Sequence, residues 1–140
     1  MFTAKVYRVM VGSLSGAMEE VYVAKEAIRK WNQQNAEREG KMFMPIEWAA
    51  GKDAIQNVDI VVGIVNNWLD NPKFIEDCIE AGKSVMLFFK ALLDSTNTLS
   101  GEIEIVLLFR GKVQSCSYCT SYNSKSELIV SMNEQLNAFL

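Results

Sequence analysis

Short apolar segments alternate along the chain with stretches in which apolar and polar residues are mixed, a pattern that predicts strands alternating with helices. Four apolar segments are predicted strands: residues 5–12, 42–48, 58–65 and 84–89. The segment 58–65 is almost continuously Val and Ile, which is typical of a central parallel strand buried on both faces. Pro45 cannot donate a ladder hydrogen bond, so its strand should be short or lie at a sheet edge.

Between these strands the apolar positions recur at helical spacing. The first helical stripe consists of Ala17, Val21, Ala24, Ile28 and Trp31. The polar run 32–40 should finish this helix and turn the chain. A second helix is predicted over 74–81, with Pro72 in its first turn and Gly82 as its stop. Ser124 and Glu127 have the spacing of a capping box, and the apolar positions that follow predict a closing helix.

Three segments are less distinct. Residues 52–57 predict a loop or a brief helix, and 113–122 predict an edge strand of small and polar residues. Residues 99–110 fit both a strand and a helix, so periodicity leaves both open. Alternation of strands and helices predicts an α/β fold, a parallel sheet with helices on both faces. No repeat or linker interrupts residues 1–140, so we expect one domain.

Composition removes several classes of function. The 140 residues include no histidine, which excludes Ser-His-Asp and Cys-His catalysis. Cys116 and Cys119 form a C-x-x-C without a second pair, so we expect no metal site and no cofactor. The net charge is −3 and no segment clusters Lys or Arg, so nucleic acid is not an expected partner. No apolar run approaches a membrane span, and an odd number of cysteines favours reduced thiols and the cytoplasm.

In open parallel sheets, ligands bind at the carboxyl ends of the strands. This rule selects the segments 12–16, 66–72 and 90–100. The first contains Gly12, Ser13 and Ser15, whose backbone N–H groups and hydroxyls could hold an anion or a ribose hydroxyl. It has neither the G-x-G-x-x-G nor the P-loop pattern. The alternative is a tight strand-to-helix turn capped by a serine.

The second of these segments places further candidates beside the first. Asn66 and Trp68 lie in it, and the indole could either stack on a ligand or fold back over the core. Glu76 and Asp77 follow on the short helix, where a carboxylate hemmed in by aromatic rings could stabilise a developing cation. The alternative is a solvated acidic face.

Several of these segments resemble one family. The run YRVMVGSLSGAMEEVYVAKEAIRKWN (7–32), VDIVVGI (58–64), FIED (74–77) and EAGKSVMLFF (80–89) are similar to motifs of a TIR-like domain. That domain is found at the N-terminus of bacterial NACHT and other P-loop NTPase defence proteins. Its relatives are TIR domains and nucleoside 2-deoxyribosyltransferases. The resemblance implies a three-layer, flavodoxin-like fold with five parallel strands in the order 2-1-3-4-5, and it favours a helix over 99–110.

The resemblance also implies a function. Glu76 would break the N-glycosidic bond of NAD or a nucleoside through an oxocarbenium-like transition state. Ser13 and Ser15 would hold ribose or phosphate, and Trp68 or Trp48 would stack on the base. Segment 66–72 differs from the Ser-Gly-Thr turn usual in the family. That difference supports an alternative, a non-catalytic module that forms a homo-oligomer or binds a separate protein. A cyclic-nucleotide sensor is a third option.

Overall fold

The computed structural model describes residues 1–49, 51–66, 68–91 and 101–139. Strands and helices alternate along these residues, as the apolar pattern predicts. The strands are β1 (Lys5–Ser13), β2 (Lys41–Ile46), β3 (Ile60–Val65), β4 (Ser84–Lys90) and β5 (Tyr118–Tyr122). The helices are α1 (Met18–Glu39), α2 (Lys52–Gln56), α3 (Pro72–Glu80), α4 (Gly101–Val113) and α5 (Lys125–Ala138).

The five strands form one parallel sheet in the order β2-β1-β3-β4-β5, which confirms the predicted flavodoxin-like topology. Every residue of β3 is buried, because a central strand of such a sheet is covered on both faces. β2, which contains Pro45, is an edge strand. Strand order reverses between β1 and β3, so the ends of these two strands form the topological switch point.

Helices cover both faces of the sheet, and the core has two parts. On one face α1 and α5 pack against the sheet, burying residues such as Ile28, Trp31 and Met132. On the other face α3 and α4 bury a second set that includes Ile75, Cys78 and Phe109. The molecule therefore has three layers, and α4 lies over the part of the sheet nearest β5.

Residues 101–113 are a helix, the structure that the family resemblance favours. Val106, Phe109 and Val113 are buried at helical spacing against one face of the sheet. The predicted strand over 113–122 starts too early, since β5 begins at Tyr118. Val113 belongs to α4, and its carbonyl accepts hydrogen bonds from the Ser117 hydroxyl and the Cys116 N–H in the turn that follows.

The helix ends follow the expected local chemistry. α1 continues to Glu39, beyond the last apolar residue of its stripe, and ends at Gly40, whose φ of 68° is in the left-handed region. At the start of α5 the Ser124 hydroxyl accepts a hydrogen bond from the Glu127 N–H at 3.2 Å. The Glu127 carboxylate accepts one from the Asn123 N–H at 3.0 Å. The first bond confirms Ser124 as the cap of α5, and the second extends the capping to the residue before it.

Candidate functional site

The turn after β1 is held together by the hydroxyl of Ser13. This oxygen accepts hydrogen bonds from the N–H groups of Ser15 at 3.0 Å and Ala17 at 2.7 Å. The same hydroxyl lies 3.3 Å from the carbonyl of Ile64, to which it donates. Ser13 is the last residue of β1, and its hydroxyl binds the N–H of Ala17, the residue that immediately precedes α1 and lies at the end of a helix where an anion can bind. In this structure the Ser13 hydroxyl stabilises the strand-to-helix turn, and the anion-binding role stays a prediction.

Ser15 connects the turn to the segment that follows β3. Its side chain is buried, at 6% relative exposure. The hydroxyl donates to the Trp68 carbonyl and accepts from the Asn66 N–H at 2.9 Å. Both hydrogen-bonding functions of this hydroxyl are thus occupied within the protein. The structure brings Ser15, Asn66 and Trp68 together, as the switch-point rule predicts, through contacts that join two loops.

The end of β5 contributes Tyr122 to the same edge of the sheet, a residue that the sequence analysis did not select. Its hydroxyl donates to the Asn66 side-chain oxygen at 3.0 Å. Burial, and then the negative charge of Glu20, raise the pKa of Tyr122 well above its usual value. Tyr122 therefore remains a neutral donor. An aromatic residue with a polar atom at the last position of a predicted strand was the signal that could have indicated this role.

An aromatic side chain covers Gly12. A Cβ atom placed on Gly12 would lie 2.3 Å from two ring atoms of Trp48, so the ring rests directly on the backbone of β1. Trp48 in turn contacts Phe74 edge to face, with ring centroids 5.4 Å apart. Trp68 is the more accessible indole, with 41% relative exposure. A Cβ atom on Gly16 would lie 3.6 Å from its ring.

Glu76 lies in a groove between α3 and α4. Its carboxylate forms an ion pair with Lys112 at 2.5 Å, and the neighbouring Asp77 pairs with Lys73 at 3.1 Å. The groove has a volume of about 280 Å³. Its lining among the described residues is Lys73, Glu76, Asp77, Ile79, Glu80, Lys112, Val113 and Cys116.

The groove and the serine turn are formed by different parts of the fold. Phe74 points from α3 toward Trp48 and Gly12. Two residues along a helix the side-chain direction rotates by about 200°, so Glu76 points away from that contact and toward α4. Among the described residues, those that line the groove belong to α3, α4 and the turn after α4. The structure does not bring Glu76 into contact with Ser13 or Ser15.

The third predicted segment, 90–100, lies mostly outside the described residues, since only Lys90 and Ala91 are described. The Ala91 N–H donates to the Tyr122 carbonyl at 2.8 Å. The three cysteines are free thiols, of which Cys78 is buried and Cys116 is exposed. In the described part of the chain, no three His, Cys, Asp or Glu side chains are grouped so as to hold a metal ion. None of its helices is both long and apolar enough to span a membrane.

α4 presents apolar side chains to solvent. The relative exposure is 74% for Leu108, 56% for Leu107 and 55% for Ile105. Leu107 and Leu108, together with Glu104 and Gly111, form what we call the outer face of α4, opposite the buried Val106, Phe109 and Val113, and Ile105 lies at the flank of this face. The sequence does not reveal this face, because residues 99–110 fit a strand as well as a helix.

No protein-family model matches the chain, and no curated protein matches it. Among solved structures, a de novo designed Rossmann 2x3 protein is 15% identical, with a TM-score of 0.49 and coverage of 96% of this chain and 90% of that chain. Translation elongation factor SelB from Methanococcus maripaludis, in its apo form, is 10% identical with a TM-score of 0.57. This match covers all of the present chain and 38% of the SelB chain. The likeness to SelB shows the fold alone, a parallel α/β domain of Rossmann-like or flavodoxin-like type.

Proposed function

We propose that this protein is a non-catalytic interaction module that self-associates through the outer face of α4. The observation that carries the proposal is the exposure of Ile105, Leu107 and Leu108 within one turn of a helix. Single exposed apolar residues are normal on a protein surface, whereas contiguous apolar patches mark interaction sites. Leu107 and Leu108 lie on the outer face, and Ile105 lies one turn before Leu108 at its flank, so the three side chains together form such a patch.

The carboxyl edge of the sheet supports the same proposal. The hydroxyls of Ser13 and Ser15 and the side chain of Asn66 are occupied by hydrogen bonds within the protein. These bonds hold three loops together, which is a structural role. Trp48 covers Gly12, where a ligand would need close access to the backbone. A domain with this arrangement can bind a partner through a helical surface without binding a ligand at the carboxyl edge of its sheet.

The proposal is tested by sedimentation velocity over a range of protein concentrations. We expect the wild-type sedimentation coefficient to rise with concentration toward that of a dimer. Leu108→Glu should remain a monomer, because association would bury an unpaired carboxylate. The matched control is Val130→Glu on α5, since Val130 is also exposed, at 56%, but lies on another surface. It should associate as the wild type does.

Circular dichroism verifies that each variant is folded. Because the side chain of Leu108 is mostly exposed in the monomer, its replacement should leave the spectrum and the melting temperature nearly unchanged. A wild-type protein that stays monomeric at every concentration would refute the proposal. Equal association of Leu108→Glu and the wild type would also refute it.

A second candidate function is cleavage of an N-glycosidic bond at Glu76. The half-buried carboxylate of Glu76 in the α3–α4 groove favours it, as does the resemblance to the TIR-like family. A carboxylate can stabilise an oxocarbenium-like transition state. Lys112, at 2.5 Å, would have to release Glu76 and could then contact a phosphate or hydroxyl of the substrate.

Release of free base from NAD, and separately from purine and pyrimidine nucleosides, tests this candidate. Catalysis at Glu76 predicts base release by the wild type and its loss in Glu76→Gln. The control Glu37→Gln changes an exposed carboxylate on α1 and should keep the activity. Absence of base release by the wild type with every substrate would rule this candidate out.

A further inference from the structure

We infer that two copies of this chain pair through α4 in antiparallel orientation, about a two-fold axis that passes beside Leu108. This inference rests on the proposed self-association and specifies its geometry. Leu108 is the most exposed of the aliphatic side chains of α4 at 74%, and it lies near the middle of the helix Gly101–Val113. A two-fold contact there lets each copy use the same residues, as closed dimers do.

The charges on either side of Leu108 are self-complementary. Glu104 precedes it by four residues and Lys112 follows it by four, so the three side chains form one ridge of the helix. When two such helices cross in antiparallel orientation at Leu108, Glu104 of each copy lies beside Lys112 of the other. A parallel pairing would place Glu104 beside Glu104, which is repulsive. The ridge therefore favours a second copy of this chain in antiparallel orientation.

Gly111 supplies a second, independent observation. It lies within α4, where glycine is a poorer helix former than alanine. A Cβ atom on Gly111 would meet nothing within 4 Å, so packing within one chain does not require a glycine there. Gly111 follows Leu108 by three residues, so it lies on the outer face one turn from Leu108. In the antiparallel pair, the missing side chain there lets the second helix approach closely.

The ion pair within the chain is compatible with this arrangement. Lys112 pairs with Glu76 at 2.5 Å, yet its side chain is 70% exposed. An ammonium group has three N–H donors, so Lys112 can contact Glu76 and also Glu104 of the second copy. Glu104 forms no ion pair among the described residues. Its carboxylate is therefore available for a contact between copies.

Disulfide cross-linking tests the position of the axis. In the full chain carrying Cys116→Ser and Cys119→Ser, which removes the two accessible thiols, a Leu108→Cys substitution places one thiol near the axis. Diamide then oxidises two thiols to one disulfide, taking up their two electrons and two protons. We expect a covalent dimer on a non-reducing gel. Val130→Cys in the same background should give at most a trace of it.

Charge reversal tests the orientation. To avoid repulsion within the chain, all variants carry Glu76→Gln. Glu104→Lys and Lys112→Glu should each weaken dimerisation by about tenfold, since two attractive contacts become repulsive. The double reversal should return the dissociation constant to within about threefold of the parent. The dissociation constants are measured by sedimentation equilibrium.

The outcomes separate this inference from the proposal on which it rests. A parent protein that is monomeric at all concentrations would refute the self-association itself. A dimer that is abolished by Leu108→Glu, but gives no Leu108→Cys cross-link and no recovery in the double reversal, would refute only the antiparallel geometry. Cross-linking together with recovery in the double reversal would establish it.

Discussion

Replacing Gly12 with alanine tests whether this glycine is present for packing or for a ligand. The added Cβ atom would lie 2.3 Å from the ring of Trp48, much closer than the ~3.5–4 Å of a favourable carbon contact. The ring must move by more than about 1 Å or leave its place against Phe74. If the glycine instead served only to let a ligand approach the backbone, the same substitution would leave the stability of the free protein unchanged.

The size of the effect follows from the area that Trp48 buries. A tryptophan buries about 150–250 Å² when fully packed, and Trp48 is half-buried. Expulsion of its ring therefore exposes on the order of 100 Å², which corresponds to about 2.5 kcal/mol. Alanine in a strand recovers about 0.5–1 kcal/mol relative to glycine. We expect a net loss of about 1.5–2 kcal/mol, or roughly 5–8 °C in melting temperature for a domain of this size.

Urea denaturation of four proteins measures this effect: the wild type, Gly12→Ala, Trp48→Ala and the double variant. Once the Trp48 ring is absent, the added methyl group has room, so Gly12→Ala should be neutral or slightly stabilising in that background. The coupling free energy should then exceed about 1 kcal/mol. Additivity within about 0.5 kcal/mol would refute the packing explanation, as would an unchanged midpoint for Gly12→Ala.

Three further predictions concern other buried or capping groups. Ser15→Ala leaves the Trp68 carbonyl and the Asn66 N–H without this partner, and thermal melting should show a loss of about 1–3 kcal/mol. Burial, and then Asp77, raise the pKa of the Cys78 thiol to about 11, with Lys83 opposing the shift. Because the Cys78 thiol stays protonated to a higher pH in the folded protein than in the unfolded chain, the free energy of unfolding should fall between about pH 9 and pH 11. Urea denaturation between about pH 9 and pH 11 should show a smaller loss of unfolding free energy in Cys78→Ala than in the wild type. Cys116→Ala should lose as much as the wild type. Ser124→Ala removes the cap of α5 and should cost about 1 kcal/mol by urea denaturation.

The candidate site was predictable in position but not in role. The switch-point rule places the ends of β1 and β3 side by side, and the structure brings Ser15, Asn66 and Trp68 together there. Whether a hydroxyl is free for a ligand depends on partners that are distant in the sequence. Ser15 and Asn66 are 51 residues apart, and Asn66 and Tyr122 are 56 apart. Local spacing carries no information about such pairs.

Glu76 illustrates the same limit of local pattern. The sequence places it on a short helix that begins at the carboxyl edge, and it does lie on α3. Its direction is fixed by Phe74, which packs toward Trp48 and so turns Glu76 toward α4 and Lys112. The rotation of a helix about its own axis determines which groove each of its carboxylates faces. That rotation is set by packing against the sheet.

The sequence by itself determined the order of the elements and the parallel sheet, because buried strands carry continuous apolar runs and helices carry apolar residues at steps of three and four. It also determined the cap at Ser124, which needs only neighbours within one turn. Periodicity left residues 99–110 open between strand and helix, and tertiary structure alone decided that α4 has an apolar outer face and that Trp48 covers Gly12. These outcomes depend on contacts between segments that are far apart in the chain. The sequence of any one short segment does not determine the free energies of those contacts.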